Sequence, residues 1–108
     1  MKCFVVVVLL GAKLLTMQSA LHDMAVRYGV DPVLASCIVS NESNWNPTLV
    51  SQDDDTGLFQ IIPSTAEWVA EQMGLVTYDL TDPITNMQMG LWILKRYPEW
   101  YSTLYLCD

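Results

Sequence analysis

The chain has 108 residues, of which 52% are hydrophobic and only 16% are charged. This length fits one small domain, and the apolar content excludes an intrinsically disordered chain. No apolar run approaches the roughly 18 residues that a conventional membrane-spanning helix needs. Five basic against twelve acidic side chains give a net charge of −7, which excludes a basic nucleic-acid-binding surface.

The first twenty residues differ in composition from the rest of the chain. Lys2 precedes the apolar run 3–10, and the segment ends on the small side chains of Ser19 and Ala20. This arrangement resembles a secretory signal peptide, although Lys13 interrupts its apolar part. We therefore predict that residues 1–20 are a signal peptide or an N-terminal hydrophobic segment, with an uncleaved anchoring helix as the alternative.

The cysteines, the histidine and the acidic run do not have the spacing of a metal site. Export would permit a disulfide between Cys37 and Cys107, but Cys37 lies among apolar residues and fits a small buried thiol equally well. His22 is the only histidine, so no Cys/His cluster with metal-ligand spacing exists. The run 53–55 fails as a calcium loop because Pro63 would occupy the position that needs a bidentate glutamate. We predict neither a metal nor another cofactor.

The first two helices carry clear start and stop signals. Side chains at the i, i+3, i+4 and i+7 positions from Leu21 to Tyr28 predict one apolar face, and Gly29 ends this helix. Asp31 followed by Pro32 is typical of a helix start, and this second helix extends to about Ser43.

The remaining helices follow a long irregular segment. Residues 43–62 are polar and glycine-containing with apolar side chains set among them, a composition typical of a functional loop. Ser64 and Glu67 form the pattern of a capping box for a third helix. Asp82 with Pro83 marks the start of a fourth, and residues 99–108 form a fifth helix or a frayed tail. The predicted fold class is mainly α, with four to five helices and a long irregular active-site loop.

Glu42 occupies an unexpected face of the second helix. Steps of four residues lead back from it to Ile38 and Leu34, so it continues the apolar face. A carboxyl group placed there loses hydration, which raises its pKa and suits a general acid. The alternative is that the helix ends at Glu42 and its side chain turns into solvent.

Several short motifs in order then resemble a known family. Glu42-Ser43-Asn44-Trp45-Asn46-Pro47, Val50-Ser51, Gly57-Leu58-Phe59-Gln60 and Pro63-Ser64-Thr65-Ala66 resemble the catalytic core of soluble lytic transglycosylases. The family pattern is Glu-Ser-x-aromatic-Asn-Pro, Val-Ser, Gly-Leu-Met-Gln and Pro-x-Thr-Ala. Downstream, Asp82-Pro83-x-x-Asn86 is similar to the family's Asp-Pro-x-x-Asn-Ile helix. The resemblance covers about residues 28–97 and makes residues 21–108 a partial domain of this family.

The resemblance implies a lysozyme-like transglycosylase fold that binds peptidoglycan glycan strands in a cleft. We predict that the chain is a monomer. The resemblance also implies cleavage of the β-1,4 bond between N-acetylmuramic acid and N-acetylglucosamine. From the N-terminal segment we predict an exported protein in the periplasm, at the cell wall or outside the cell, with association with a membrane or secretion assembly as an alternative role of that segment. Carried over by position, Glu42 is the single acid/base. It protonates the glycosidic oxygen and then accepts the proton of the muramoyl C6 hydroxyl, which closes a 1,6-anhydro ring.

The resemblance also assigns roles to side chains around Glu42. Ser43 and Gln60 bind substrate, with a helix-terminal polar contact and satisfaction of the loop backbone as the respective alternatives. Phe59 forms an apolar platform for a sugar ring, or else it packs beneath the loop. Asn46 and Asn86 are structural, holding backbone near the site.

Two departures from the family pattern keep other functions open. The family carries an Ala-Tyr-Asn-x-Gly motif on a later helix, and residues 104–108 resemble what precedes it. Tyr105 therefore lies too early, and the domain is expected to be cut short before that motif. Asp55 lies where animal-type lysozymes carry a second catalytic carboxylate. The alternatives are thus a hydrolysing lysozyme that uses Glu42 and Asp55, or an inactive peptidoglycan-binding remnant.

Overall fold

The architecture is given by a computed structural model, which describes the backbone of residues 2–107 and the side chains of residues 13–107. Over this range the chain is helical and irregular, with no strand beyond isolated bridges. The elements in chain order are α1 (Lys2–Tyr28), α2 (Pro32–Ser43), α3 (Pro63–Met73), α4 (Pro83–Arg96) and the 3-10 turns Pro98–Trp100 and Leu104–Cys107. The mainly α prediction is confirmed.

The predicted starts of α2 and α4 are confirmed. The Asp31 carboxylate accepts a hydrogen bond from the backbone N–H of Val33 at 2.9 Å. Asp82 accepts one from the backbone N–H of Thr85, also at 2.9 Å. In both helices proline follows the cap, where its fixed φ suits the first turn and its missing N–H costs nothing.

The capping box predicted for α3 is wrong. The helix begins at Pro63, its cap is Ile62, and no side chain caps it. Ser64 is therefore already inside the first turn. Proline is favoured at the first helical position, so the helix starts two residues earlier than a cap at Ser64 would place it.

The fifth helix is also wrong, because residues 98–107 form the two 3-10 turns instead. Pro98 stops α4, and so few residues gain little from an isolated α-helix. The segment is held by tertiary contacts, with Tyr101 buried and Cys107 joined to Cys37 by a disulfide.

The N-terminal helix α1 continues through residue 20 without a break. Its predicted apolar face from residue 21 onward is confirmed, since Leu21, Met24 and Ala25 are buried. The side chains of the apolar run 3–10 lie outside the described residues. Among the helical residues whose placement the structure describes, no stretch is long and apolar enough to cross a bilayer.

The core lies between α1, α2 and α4, and the irregular loop contributes to it directly. Leu58 and Phe59 have no exposed surface. A Cβ atom at Gly90 of α4 would overlap the Phe59 ring, so that position admits only glycine in this arrangement. Phe59 also makes an edge-on contact with Tyr101, their ring centres 6.0 Å apart. This packing fixes the loop beside the end of α2.

Candidate active site

Glu42 lies in the last turn of α2, half-buried, on the same face as the fully buried Ile38. The helix ends just beyond it because Asn44 adopts a left-handed conformation with φ of 50° and donates its N–H to the Ser40 carbonyl. Burial raises the pKa of Glu42, and the nearby charge of Asp55 raises it further. The Thr103 hydroxyl donates to Glu42 Oε2 at 3.3 Å and partly offsets this pKa rise.

Asp55 brings a second carboxyl group to the site. Its backbone N–H is bonded to the Ser51 hydroxyl, and its carbonyl accepts from the Ser51 N–H. Its Oδ1 atom is buried and has no hydrogen-bond partner among the described residues. Burial raises the pKa of Asp55, and the charges of Asp53 and Asp54 add to the rise. A buried carboxyl oxygen without a partner favours the neutral form.

Tyr101 is, with Thr103, one of two site residues that the sequence did not predict. It is only 7% exposed, and burial raises the pKa of its hydroxyl, with smaller contributions from the charges of Glu42 and Asp55. The phenol therefore stays protonated and lies within electrostatic reach of both carboxyl groups. The family resemblance instead predicted a site tyrosine beyond residue 105. Tyr105 itself is 73% exposed.

Asn86 holds the loop in place from α4. Its side chain is completely buried, and its Nδ2 group donates to the carbonyls of Thr56 and Leu80 at 2.9 Å each. Its Oδ1 atom accepts the N–H of Phe59 at 2.8 Å. Gly57 has φ of 81°, and a Cβ there would overlap the Asn86 side chain. A glycine and an asparagine thus fix the loop next to Glu42.

Comparisons with known proteins bear on this geometry. A family model, the transglycosylase SLT domain, matches residues 19–107. The chain belongs to the SLT transglycosylase family.

The SLT domain is similar to curated proteins that are much longer than it. It is 38% identical over 84 residues to membrane-bound lytic murein transglycosylase C of Haemophilus influenzae. This alignment covers 70% of this chain and 24% of that protein. It is 41% identical over 68 residues to endo-type membrane-bound lytic murein transglycosylase A of an Enterobacter species, covering 58% of this chain and 34% of that protein.

A solved structure confirms the predicted lysozyme-like transglycosylase fold. The SLT domain aligns with the 70-kDa soluble lytic transglycosylase in complex with bulgecin A, with a TM-score of 0.68 and 26% identity. The alignment covers 78% of this chain and 14% of that one. The chain thus spans about a seventh to a third of the length of these three proteins.

Gln60 and Ser43 of the SLT domain use their donors internally. Gln60 Nε2 donates to the carbonyls of Leu49 and Gly57 at 3.0 and 2.9 Å. The Ser43 hydroxyl is buried and donates to the Val39 carbonyl at 3.1 Å. Gln60 also borders a cavity of about 60 Å³. Their predicted substrate contacts remain predictions.

Phe59 and Asn46 of the SLT domain have different surroundings. A phenylalanine with no exposed surface cannot present a ring face to a sugar, so the structure contradicts the platform role and favours packing beneath the loop. Asn46 is exposed, and its Oδ1 atom accepts the N–H and the hydroxyl of Thr48 at 3.1 and 3.2 Å. It stabilises the turn that follows α2.

The raised pKa of Glu42 predicts that this residue lowers the free energy of unfolding at neutral pH but not at acidic pH. A carboxyl group whose pKa is higher in the folded state favours folding while it is protonated, below its ordinary value of 4.5. That contribution is lost as the pH rises through the folded-state pKa. Glu42→Gln should therefore increase the free energy of unfolding at neutral pH, and the gain should vanish below 4.5.

Urea unfolding of both proteins at several pH values measures this difference. Glu67→Gln, on the exposed surface of α3, is the matched control and should leave the free energy of unfolding nearly unchanged at every pH. A Glu42→Gln variant that is less stable at neutral pH than at acidic pH, relative to the parent, would contradict the prediction.

Proposed function

We propose that the chain is a peptidoglycan lytic transglycosylase in which Glu42 acts as the single acid/base. The observation that carries this proposal is the half-buried Glu42 carboxyl on the apolar face of α2, inside a domain of the SLT family. A carboxyl group with a raised pKa holds its proton at higher pH than an exposed glutamate does.

The chemistry needs one proton carrier and no water. Protonated Glu42 donates to the glycosidic oxygen between N-acetylmuramic acid and N-acetylglucosamine as that bond breaks. The resulting carboxylate then accepts the proton of the muramoyl C6 hydroxyl, whose oxygen bonds to C1 and closes the 1,6-anhydro ring. Glu42 ends the cycle protonated, so this route differs from glycosidases that require two carboxyl groups.

Asp55 supports a second candidate function, a lysozyme-type hydrolase. Its buried Oδ1 atom lacks a partner among the described residues, and its charge raises the pKa of Glu42. Two carboxyl groups that influence one another are the arrangement that hydrolytic glycosidases use. In that route Glu42 is the acid, and Asp55 stabilises or bonds to the cationic sugar until water attacks.

Digestion of purified peptidoglycan in water labelled with a heavy oxygen isotope separates the two functions. Mass spectrometry should find 1,6-anhydromuramoyl ends without the label. Reducing ends carrying one labelled oxygen would replace the transglycosylase by the hydrolase. Retained binding to peptidoglycan with no soluble product of either kind would contradict both and support the inactive, peptidoglycan-binding remnant.

Export and domain organisation belong to the same proposal. Residues 1–20 direct export or anchor the chain at a membrane or secretion assembly, and residues 21–108 act as a monomeric SLT-like domain at the cell wall. The apolar N-terminal sequence that follows Lys2, together with relatives that are named membrane-bound, supports a location at the cell envelope. Fractionation of cells that express the chain with and without residues 1–20 tests it, because only the full chain should reach the exported fraction.

A further inference from the structure

The residues after α4 return to the end of α2 and are attached there at two points. Tyr101 is buried against Phe59 in the core. Cys107 forms a disulfide with Cys37, with the two Cα atoms 5.7 Å apart. The bridge joins residues 70 positions apart in the sequence, so it attaches the last 3-10 turn, Leu104–Cys107, to α2.

Thr103 lies between these two attachments, where its hydroxyl reaches Glu42. The Oγ1 atom donates to Glu42 Oε2 at 3.3 Å, and both side chains are half-buried. Local turns fix its backbone, because Leu106 donates its N–H to the Thr103 carbonyl at 2.9 Å. On α2, Cys37 precedes Glu42 by five residues, which places the bridge about 7.5 Å along the helix axis from the carboxyl-bearing residue.

We propose that Thr103 is a positioning residue for Glu42 and that the Cys37–Cys107 disulfide holds Thr103 at the required place. Its catalytic consequence rests on the proposed function, whereas its structural content does not. The other ionisable groups that face Glu42 are Asp55 from the loop and Tyr101 from the same returning segment. Both are unchanged in every variant below.

Thr103→Val keeps the shape of the side chain and removes its hydroxyl donor. The hydrogen bond favours the charged form of the carboxyl, so its loss should shift the pKa of Glu42 upward. Thr103→Ser retains a donor and should keep the pKa of Glu42 close to that of the parent. Turnover of peptidoglycan should fall on the order of tenfold in Thr103→Val, because a mobile acid is misplaced relative to the bond it protonates.

Thr81→Val is the matched control. Thr81 also donates its hydroxyl to a carboxylate, that of Asp79, and this bond lowers the pKa of Asp79. The control should therefore raise the pKa of Asp79 and leave that of Glu42 unchanged. NMR titration of isotope-labelled side-chain carboxyl carbons reads both groups in the same experiment and needs no activity.

A double-mutant cycle tests the part played by the disulfide. Thr103→Val is compared in the parent and in the Cys37→Ser/Cys107→Ser chain, after circular dichroism has shown that the latter keeps its helices. If the bridge holds Thr103 at Glu42, the upward pKa shift caused by Thr103→Val should largely disappear in the bridge-free chain.

Four outcomes would overturn the inference. They are an unchanged Glu42 pKa in Thr103→Val, a Thr103→Ser variant that behaves like valine, an equal shift with and without the bridge, or loss of the helices when the bridge is removed. The last result would make the disulfide a requirement of the whole fold. A parent chain without turnover that still shows the predicted titrations would instead refute the proposed function and leave the positioning role standing.

Discussion

Glu42→Gln should reduce peptidoglycan turnover by about 10²–10⁴-fold, the usual contribution of a positioned general acid or base. Glutamine has nearly the same shape and can still accept the hydrogen bond of Thr103, but it has no proton to deliver. Release of soluble fragments from purified peptidoglycan measures turnover, and co-sedimentation with insoluble peptidoglycan measures binding. Binding should be retained, because the substitution does not alter the surrounding loop.

The control for this prediction is Glu67→Gln, which removes an exposed carboxyl group from α3. Its turnover should equal that of the parent. A Glu42→Gln variant that kept a tenth or more of the parental rate would show that another group supplies the proton. A variant that lost binding together with turnover would place Glu42 in substrate recognition.

Asn86→Ala should lower the free energy of unfolding by about 3–6 kcal/mol. One buried and two partly buried backbone groups lose their partner, at about 1–3 kcal/mol each, less what water can recover. Those groups are the carbonyls of Thr56 and Leu80 and the N–H of Phe59. Small domains are stable by only about 5–15 kcal/mol, so the variant should unfold at far lower urea concentration.

Asn41→Ala is the control for this substitution. Asn41 is exposed and donates to the Cys37 carbonyl at 2.9 Å, with longer contacts of 3.4 and 3.8 Å to the sulfurs of Cys37 and Cys107. Sulfur is a weak acceptor, so the replacement of this exposed side chain should cost less than about 1 kcal/mol. Urea unfolding followed by circular dichroism compares the two variants. A loss below about 1 kcal/mol in Asn86→Ala would mean that the loop does not depend on this side chain.

Local sequence signals predicted the helices and the position of Glu42. The face of α2 follows from a period of 3.6 residues, and that period alone places Glu42 in line with Ile38. The starts of α2 and α4 follow from an acidic cap and a proline, both of which act within one turn. The capping box at Ser64 failed because Pro63 competes for the same helix start.

The remaining features of the site depend on contacts between distant residues. Thr103 contacts Glu42, and Tyr101 lies within electrostatic reach of it, only because the chain turns back after Pro98. No local pattern encodes that return. The disulfide was left open because cysteine spacing does not show whether two Cβ atoms approach each other. The burial of Phe59 likewise follows from the space that Gly90 leaves on a different element.

The central claim is that burial keeps Glu42 protonated at a pH where an exposed glutamate has ionised. NMR titration of the Glu42 carboxyl carbon in the unaltered chain measures this directly, with its assignment taken from Glu42→Gln. We predict a pKa above the ordinary value of 4.5. A midpoint at or below 4.5 would contradict the account, because the carboxyl would then be no better suited to donate a proton than one in open water.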